Sequence, residues 1–506
     1  MDNFDILNVG NARCIEPYMY GADLPYPGIT GIVNIEEAIR LLEKHNKKET
    51  ISFLHCDVDV DGMGNGYIAK KFFGNTDMGY NAYYIINKER KHGIDFEKVN
   101  NINNYNPDLV IILDSSSSNI EEIEMFNCDV IVVDHHELEI GMEDLTGRTL
   151  GGEYVIVTNM ALPNDENQSH AMSGCMVLYV LLREYASRIG LGEVFDHLKL
   201  DQWVAITLYS DVVSLQNNRN QWFINRLLSN KGLENGIDTI TDSLRVGRID
   251  KTTVNFKISP LINSTVRGGE SKLALNMVLE NQRNINELEV FRDRQKEIME
   301  IACEDLVEEE YFIYRDITDT DIPPAYAGVI ASRISNERQM CAFVFRRENG
   351  KCIGSFRGKD SMIDYRSALK NMGALARGHK GAFGLEVVDT YMISHLNKAC
   401  CIEYTNDKFI SMGLKYGGIY HIDSMLDFKR SQNLIKLALL NSRSTSMEEI
   451  NIVYLGSIEL VEEHEKYRIY SVDGLECVAF EEIVTNEKLI YVEFTNEVRA
   501  YIRNLR

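Results

Sequence analysis

The stretch ISFLHCDVDVDGMGNGY, residues 51–67, runs an apolar segment straight into aspartates at positions 57, 59 and 61. In extended backbone alternate side chains share a face, so Asp57, Asp59 and Asp61 crowd one side of a strand end, with His55 beside them. Carboxylates held together either raise a pKa or recruit a cation, and hard or borderline divalent metals accept this mixture of carboxylate and imidazole. Standing alone, the motif would read more simply as a solvated acidic turn. Two further readings fail. A calcium loop of the form D-x-D-x-D-G needs a glutamate at its twelfth position, which here is Ile68. Gly62, Gly64 and Gly66 miss the offsets of G-x-G-x-x-G, and the aspartates would face a pyrophosphate; the glycines suit a tight strand-to-helix turn.

Outward from the motif, NIEEAIRLLEKHN (34–46) has helical spacing at Ile35, Ile39 and Leu42. YNAYYIIN, DLVIILD, DVIVVD and EYVIVTN are short runs rich in Val, Ile and Tyr, separated by segments long enough for helical crossovers. The pattern predicts an α/β fold with a mostly parallel, doubly wound sheet. Polar residues close the runs: Asp114 ends DLVIILD, and Asp134, His135 and His136 end DVIVVDHH. Ligands in open α/β sheets bind outside the carboxyl ends of strands, so three strands deliver His55, Asp59, Asp61, Asp114 and His135 to one edge. Independent acidic turns have no reason to converge. Asp211, near the end of the helical LDQWVAITLYSDVV, is a weaker signal, because lone aspartates there are mostly caps.

The reading divides the chain at 1–280, a catalytic domain with an N-terminal extension, and 281–308, a linking helix. A smaller α/β domain follows at 309–397 and a β-rich domain, possibly OB-like, at 398–506. The linking helix rests on Leu288, Phe291, Ile298 and Ala302 at helical intervals; the last domain rests on runs such as EEINIVYLGSIELV and KLIYVEFTN.

Composition bounds the function. With 506 residues and 44% hydrophobic content the chain supports two or three packed cores. Its formal charge of −23, from 76 acidic against 53 basic residues, argues against a broad basic face, so a polyanion must enter along a local cationic path. Ten cysteines without a C-x-x-C pair fit neither a disulfide framework nor a zinc ribbon, and a reducing cytoplasm is expected. No stretch has the length of a membrane span, and the N-terminus lacks the pattern of an export signal.

Taken together, HCDVDVDG, LVIILDSS, VIVVDHHE, LYSDVV and GHKGAFG resemble the successive motifs of the DHH phosphoesterase superfamily, the last belonging to its DHH-associated domain. SGC at 173–175, SPLINSTVRGG around Asn263 and Arg267, AGVIASRI and GSFRG are similar to the RecJ branch of single-strand DNA 5′ to 3′ exonucleases. The resemblance implies that His55, Asp59, Asp61, Asp114, His135 and Asp211 hold two divalent ions, Mn2+ or Mg2+, with Asp57 and Asp134 in support. It implies that His136 and Arg267 contact the scissile phosphate, and that Ser173, Asn263, Ser355, Arg357, Gly378 and His379 bind substrate. It also implies hydrolysis of single-stranded DNA by metal-activated water. His136 has a plainer role open to it, orienting its neighbour through a hydrogen bond. Two departures stand out: Ala376 and Arg377 occupy positions before the GH pair that are commonly glycine, and LDSSSSN lacks the usual cysteine and glycine. An alternative is a phosphodiesterase for short oligonucleotides or cyclic dinucleotides, which suits an acidic protein; a noncatalytic scaffold would require lost ligands, and the set here is intact.

Overall fold

The computed structural model describes residues 4–7, 26–88, 92–164, 169–215, 217–229, 244, 246, 249–280, 286–359, 363–401, 419–422, 451–454, 458–464, 467–472, 474–484, 488–494 and 498–504. The chain divides into two compact units, one comprising residues 1–266, 270–285 and 408–506, the other residues 267–269 and 286–407.

In the first unit, helix α1 (Ile35–His45) precedes strand β1 (Ser52–Cys56), which leads into helix α2 (Val60–Phe73). Strand β2 (Ala82–Ile86), helix α3 (Phe96–Asn103), β3 (Leu109–Leu113), β4 (Asp129–Asp134), β5 (Thr146–Arg148) and β6 (Glu153–Thr158) follow. The spatial order is β2-β1-β3-β4-β6-β5, with every pairing parallel except β5 with β6. β1, β3 and β4 are buried along their whole length, which is why they read as unbroken apolar runs rather than alternating ones. One face packs Val110, Ile112, Val130 and Val132 against Val99 and Ile102 of α3. Chain direction across the sheet reverses between β1 and β3, and a doubly wound sheet opens its crevice at that switch point.

Helices α4 (Gly174–Arg188), α5 (Asp201–Ser210), α6 (Asn218–Ser229), α7 (Ser259–Arg267) and α8 (Ser271–Glu280) continue the unit. α4 and α5 are apolar on nearly every side and almost fully buried, with Trp203 and Tyr209 among the largest enclosed side chains. An eight-stranded sheet joins Phe4–Leu7 to strands lying between Ile419 and Asn504.

In the second unit, helix α9 (Asn286–Ala302) buries Met299 and Ala302 against Ile313 and Ile330. Its sheet of β7 (Val307–Glu308), β8 (Phe312–Asp316), β9 (Cys341–Glu348), β10 (Lys351–Arg357), β11 (Leu375–His379) and β12 (Ala382–Val388) has the order β11-β12-β10-β9-β8-β7. Helix α10 (Ala327–Arg338) packs on one face of it, and α11 (Met392–Cys400) contributes Leu396 and Cys400 to the core.

Candidate metal centre

The carboxyl ends of β1, β3 and β4 carry the centre. Asp59 caps α2 by accepting from the Gly62 N–H at 3.0 Å, so the motif leaves its strand at once and turns Asp61 into the first helical turn. Asp61 is held by the start of another helix: the N–H groups of Gly174 and Cys175 donate to its two oxygens at 2.6 and 2.9 Å. Asp114, directly after β3, sits at φ 69°, a left-handed conformation that aspartate tolerates better than most residues but that still stores strain. Any side chain at Gly174 would place its first carbon 2.3 Å from Asp114 Oδ1, so glycine is required there for close approach.

His135 binds these carboxylates into one cluster. Its Nδ1 faces the Met172 carbonyl at 2.8 Å and is the protonated nitrogen, because a carbonyl only accepts. Nε2 is thereby left as a lone-pair donor, 3.3 Å from Asp114 Oδ1, 3.6 Å from Asp61 Oδ2 and 3.7 Å from Asp211 Oδ2. Asp211 follows α5 directly, as its C-terminal cap. Asp134 serves the backbone: it accepts from the N–H groups of Ser117, His135 and His136, and pairs with His136 Nδ1 at 2.7 Å.

A second grouping, Asp57, Asp59 and His92, adjoins the first in sequence. Buried Asp57 meets His92 Nδ1 at 2.5 Å and the Gly93 N–H at 3.4 Å. His92 was not among the residues singled out from sequence, although it follows β2 and so obeys the same carboxyl-edge rule. His55 joins none of the ligand groupings among the described residues: its Nε2 lies 3.3 Å from Asn87 Oδ1, and burial lowers its pKa to about 4.

The electrostatics are those of a site short of positive charge. Burial, then Asp61, Asp59, Asp211 and Asp57, push the Asp114 carboxyl well above the usual range; burial and Asp61 do the same to Asp211. Asp57 is raised by burial against the opposing pull of His92. Burial would also raise Asp134, but the charge and hydrogen bond of His136 hold it low. His136 in turn rises to about 9, because Asp134 outweighs the cost of burial. His135 is lowered by burial and by the neighbouring His136.

Both Asp114 oxygens and His55 Nδ1 are buried without a hydrogen-bond partner. An unpaired buried carboxylate costs several kcal/mol, on the order of a broken buried pair. A donor set dominated by carboxylate oxygens, with few imidazole nitrogens, suits hard to borderline divalent ions such as Mg2+ and Mn2+, so the residues present fit divalent ions.

Ser173 is fully buried and caps α4, its hydroxyl 2.8 Å from Thr207 Oγ1; this geometry engages it in structure, and the following backbone N–H groups do the work of holding Asp61. Asn263 is half-buried on α7, and Arg267 at its end donates to Gln295 Oε1 at 2.9 Å. Arg357 donates to the hydroxyls of Ser332 and Ser355, both at 2.9 Å, which fixes its guanidinium beside Gly328. Gly378 has φ 128°, a conformation open only to glycine, so this position keeps its glycine although Ala376 and Arg377 precede it. The His379 side chain lies outside the described residues.

Residues 50–210 match the model of the DHH family, N-terminal domain. The SPbeta prophage-derived YorK of Bacillus subtilis, named a single-strand DNA-specific exonuclease, is 25% identical over 446 residues, covering 78% of this chain and 72% of its own. The single-stranded-DNA-specific exonuclease RecJ of Thermus thermophilus is 24% identical over 370 residues, 69% of this chain and 51% of that protein. Among solved structures, RecJ in complex with Mn2+ from T. thermophilus shares the fold with a TM-score of 0.68 at 18% identity, covering 95% of this chain and 72% of that one. An exonuclease RecJ bound to manganese matches 75% of this chain and 95% of its own, with a TM-score of 0.56 at 22% identity.

Proposed function

We propose that this chain, which carries a DHH-family domain at residues 50–210 within a RecJ-like fold, is a metal-dependent exonuclease that hydrolyses phosphodiester bonds of single-stranded DNA. The observation that carries the reading is the cluster of Asp61, Asp114, Asp211 and His135 Nε2 around a carboxylate with no other partner. YorK and RecJ, similar over most of the chain, bear the names of single-strand exonucleases, which supports the substrate class.

Asp61, Asp114, His135 and Asp211 would hold one of a pair of Mn2+ or Mg2+ ions, and Asp59 with His55, whose Nδ1 is buried and unpartnered, the other, with Asp57 in support. Bound divalent ions supply Lewis acidity at the phosphoryl oxygens and lower the pKa of water. The chain's own residues do the rest. Asp134 locks His135 and His136 in place through three backbone and side-chain bonds, and keeps a proton on His136 Nδ1. The imidazolium so maintained, with 45% of its side chain exposed, would donate to a phosphate oxygen. Arg267, Asn263, Ser355, Arg357, Gly378 and His379 are the proposed strand-binding residues, Arg357 being held rigid by two serine hydroxyls. The 5′ to 3′ direction and a role in DNA repair or recombination in the cytoplasm are part of the proposal; among the described residues no helix is long and apolar enough to cross a membrane.

The test is an assay of purified protein with Mn2+ on a long single strand labelled at either end, on the matching duplex and on a dinucleotide. Mononucleotide release from the 5′ end of the single strand alone is the expected result. Turnover confined to the dinucleotide would replace the exonuclease reading by the short-oligonucleotide one.

A further inference from the structure

Two loops bring the centre its last parts. Residues 169–173 present the Met172 carbonyl that sets the His135 tautomer, and the segment after α5 carries Asp211. The second loop is strained: Val212 sits at φ 54°, a conformation that a β-branched side chain resists. Something must keep that turn from relaxing and carrying Asp211 away.

Both loops meet the first turn of α6. Asn220, in the first turn of α6 and fully buried, donates from Nδ2 to the Ala171 carbonyl at 2.8 Å and to the Ser214 carbonyl at 2.6 Å. An amide nitrogen has two protons, so both are used. The amide orientation is decided by its partners, since Arg219 Nε donates to Oδ1 at 3.1 Å and a flipped amide would face both carbonyls with oxygen. The Asn220 backbone N–H donates to Asn217 Oδ1 at 2.8 Å, which anchors the turn itself. Arg219 Nη2 also donates to the Ala171 carbonyl at 2.8 Å.

We infer that Asn220 is a positioning residue of the metal centre: its amide joins the loop that orients His135 to the loop that carries Asp211, and so holds these two ligands at a fixed separation. The inference rests on the metal reading above. It requires no contact between Asn220 and substrate or metal, only the loss of ligand geometry when the joint is cut; outer partners of metal ligands typically matter about 10- to 100-fold in affinity.

The test measures Mn2+ binding to the full chain by electron paramagnetic resonance of the free ion, well below the unfolding temperature. The proteins are the wild type, Asn220→Ala, Asn220→Asp and, as control, Gln221→Leu, which loses the neighbouring bond to the Leu215 carbonyl at 2.9 Å. Both Asn220 variants are expected to weaken binding about tenfold or more, with the control within about twofold of wild type. Nitrogen-15 spectra of the metal-free protein should show the Nδ1-protonated form of His135 in wild type and a mixture of tautomers in Asn220→Ala. Asn220→Asp keeps the side-chain shape and carries the test if the alanine variant does not fold. Wild-type affinity in either folded Asn220 variant, or an equal loss in Gln221→Leu, overturns the inference. A wild type that takes up no Mn2+ overturns the metal reading as well, which separates the two failures.

Discussion

The Asp114 carboxylate has both oxygens buried and unpartnered, on a backbone at φ 69°. Asparagine adopts that conformation as readily as aspartate and carries no charge for Asp61, Asp59 and Asp211 to repel. Asp114→Asn is therefore expected to raise the melting temperature of the metal-free protein by a few degrees, the equivalent of about 1 kcal/mol. The same change should abolish Mn2+ uptake and lower hydrolysis by roughly three orders of magnitude or more, since a ligand is lost from the site that develops the charge. Calorimetry without metal and a single-strand assay with it check the two halves; a destabilised metal-free variant would show that Asp114 is satisfied by the fold alone. Most of the cluster was legible because ligands ended apolar runs, a pattern that survives in one sequence. His92, Met172 and Asn220 were not, because a lone histidine, a carbonyl and a buried amide carry no periodic signal.

Helix α1 is tied to the sheet at its surface by Arg40 with Glu153 and, deeper in, by the buried carboxylate of Asp129. Asp129, at the start of β4 and 3% exposed, accepts from Lys44 Nζ at 2.6 Å, His45 Nε2 at 2.7 Å and the Glu153 N–H at 3.0 Å. Burial alone would raise its pKa, yet these bonds hold it below the carboxylate range. A carboxyl depressed in the folded state stabilises the fold above its unfolded pKa of about 3.9 and loses that contribution as pH falls below it. Asp129→Asn should thus lower unfolding stability by about 2 kcal/mol at pH 7. Urea titrations should show the gap between variant and wild type unchanged from pH 8 to 5 and narrowing below about pH 4. A gap constant across that range would mean that the charge does not matter. The elements themselves followed the sequence: helical spacing at 34–46 became Ile35–His45, and the unbroken Val and Ile runs became fully buried parallel strands. Which buried carboxylate α1 would meet could not be read, since Lys44, His45 and Asp129 are brought together only by packing.

Both of the chain's tryptophans, Trp203 and Trp222, lie in the first of its two units. Tryptophan fluorescence consequently reports only the unit that carries the candidate ligands. Mn2+ at about one hundred times its dissociation constant is expected to stabilise that unit by about 2.7 kcal/mol, shifting the fluorescence transition upward. A transition followed by hydrogen exchange in β8, β9 and β10 of the second unit should stay within about a degree. Equal shifts in both would show that the units unfold as one. With a formal charge of −23, cation uptake also relieves repulsion within the acidic chain, so the fluorescence shift should shrink at high salt in part but not vanish.

Residue order alone determined the parallel α/β architecture and the edge on which ligands gather, because strand burial and strand ends are local properties of apolar runs and what closes them. It also determined the donor chemistry, since aspartate with histidine at those ends suits hard or borderline divalent ions. Tertiary structure decided which atoms face one another: that Gly174 and Cys175 hold Asp61, that a carbonyl sets His135, that Asp211 is drawn in from a helix end. These depend on contacts between segments tens to hundreds of residues apart, and such contacts leave no trace in spacing.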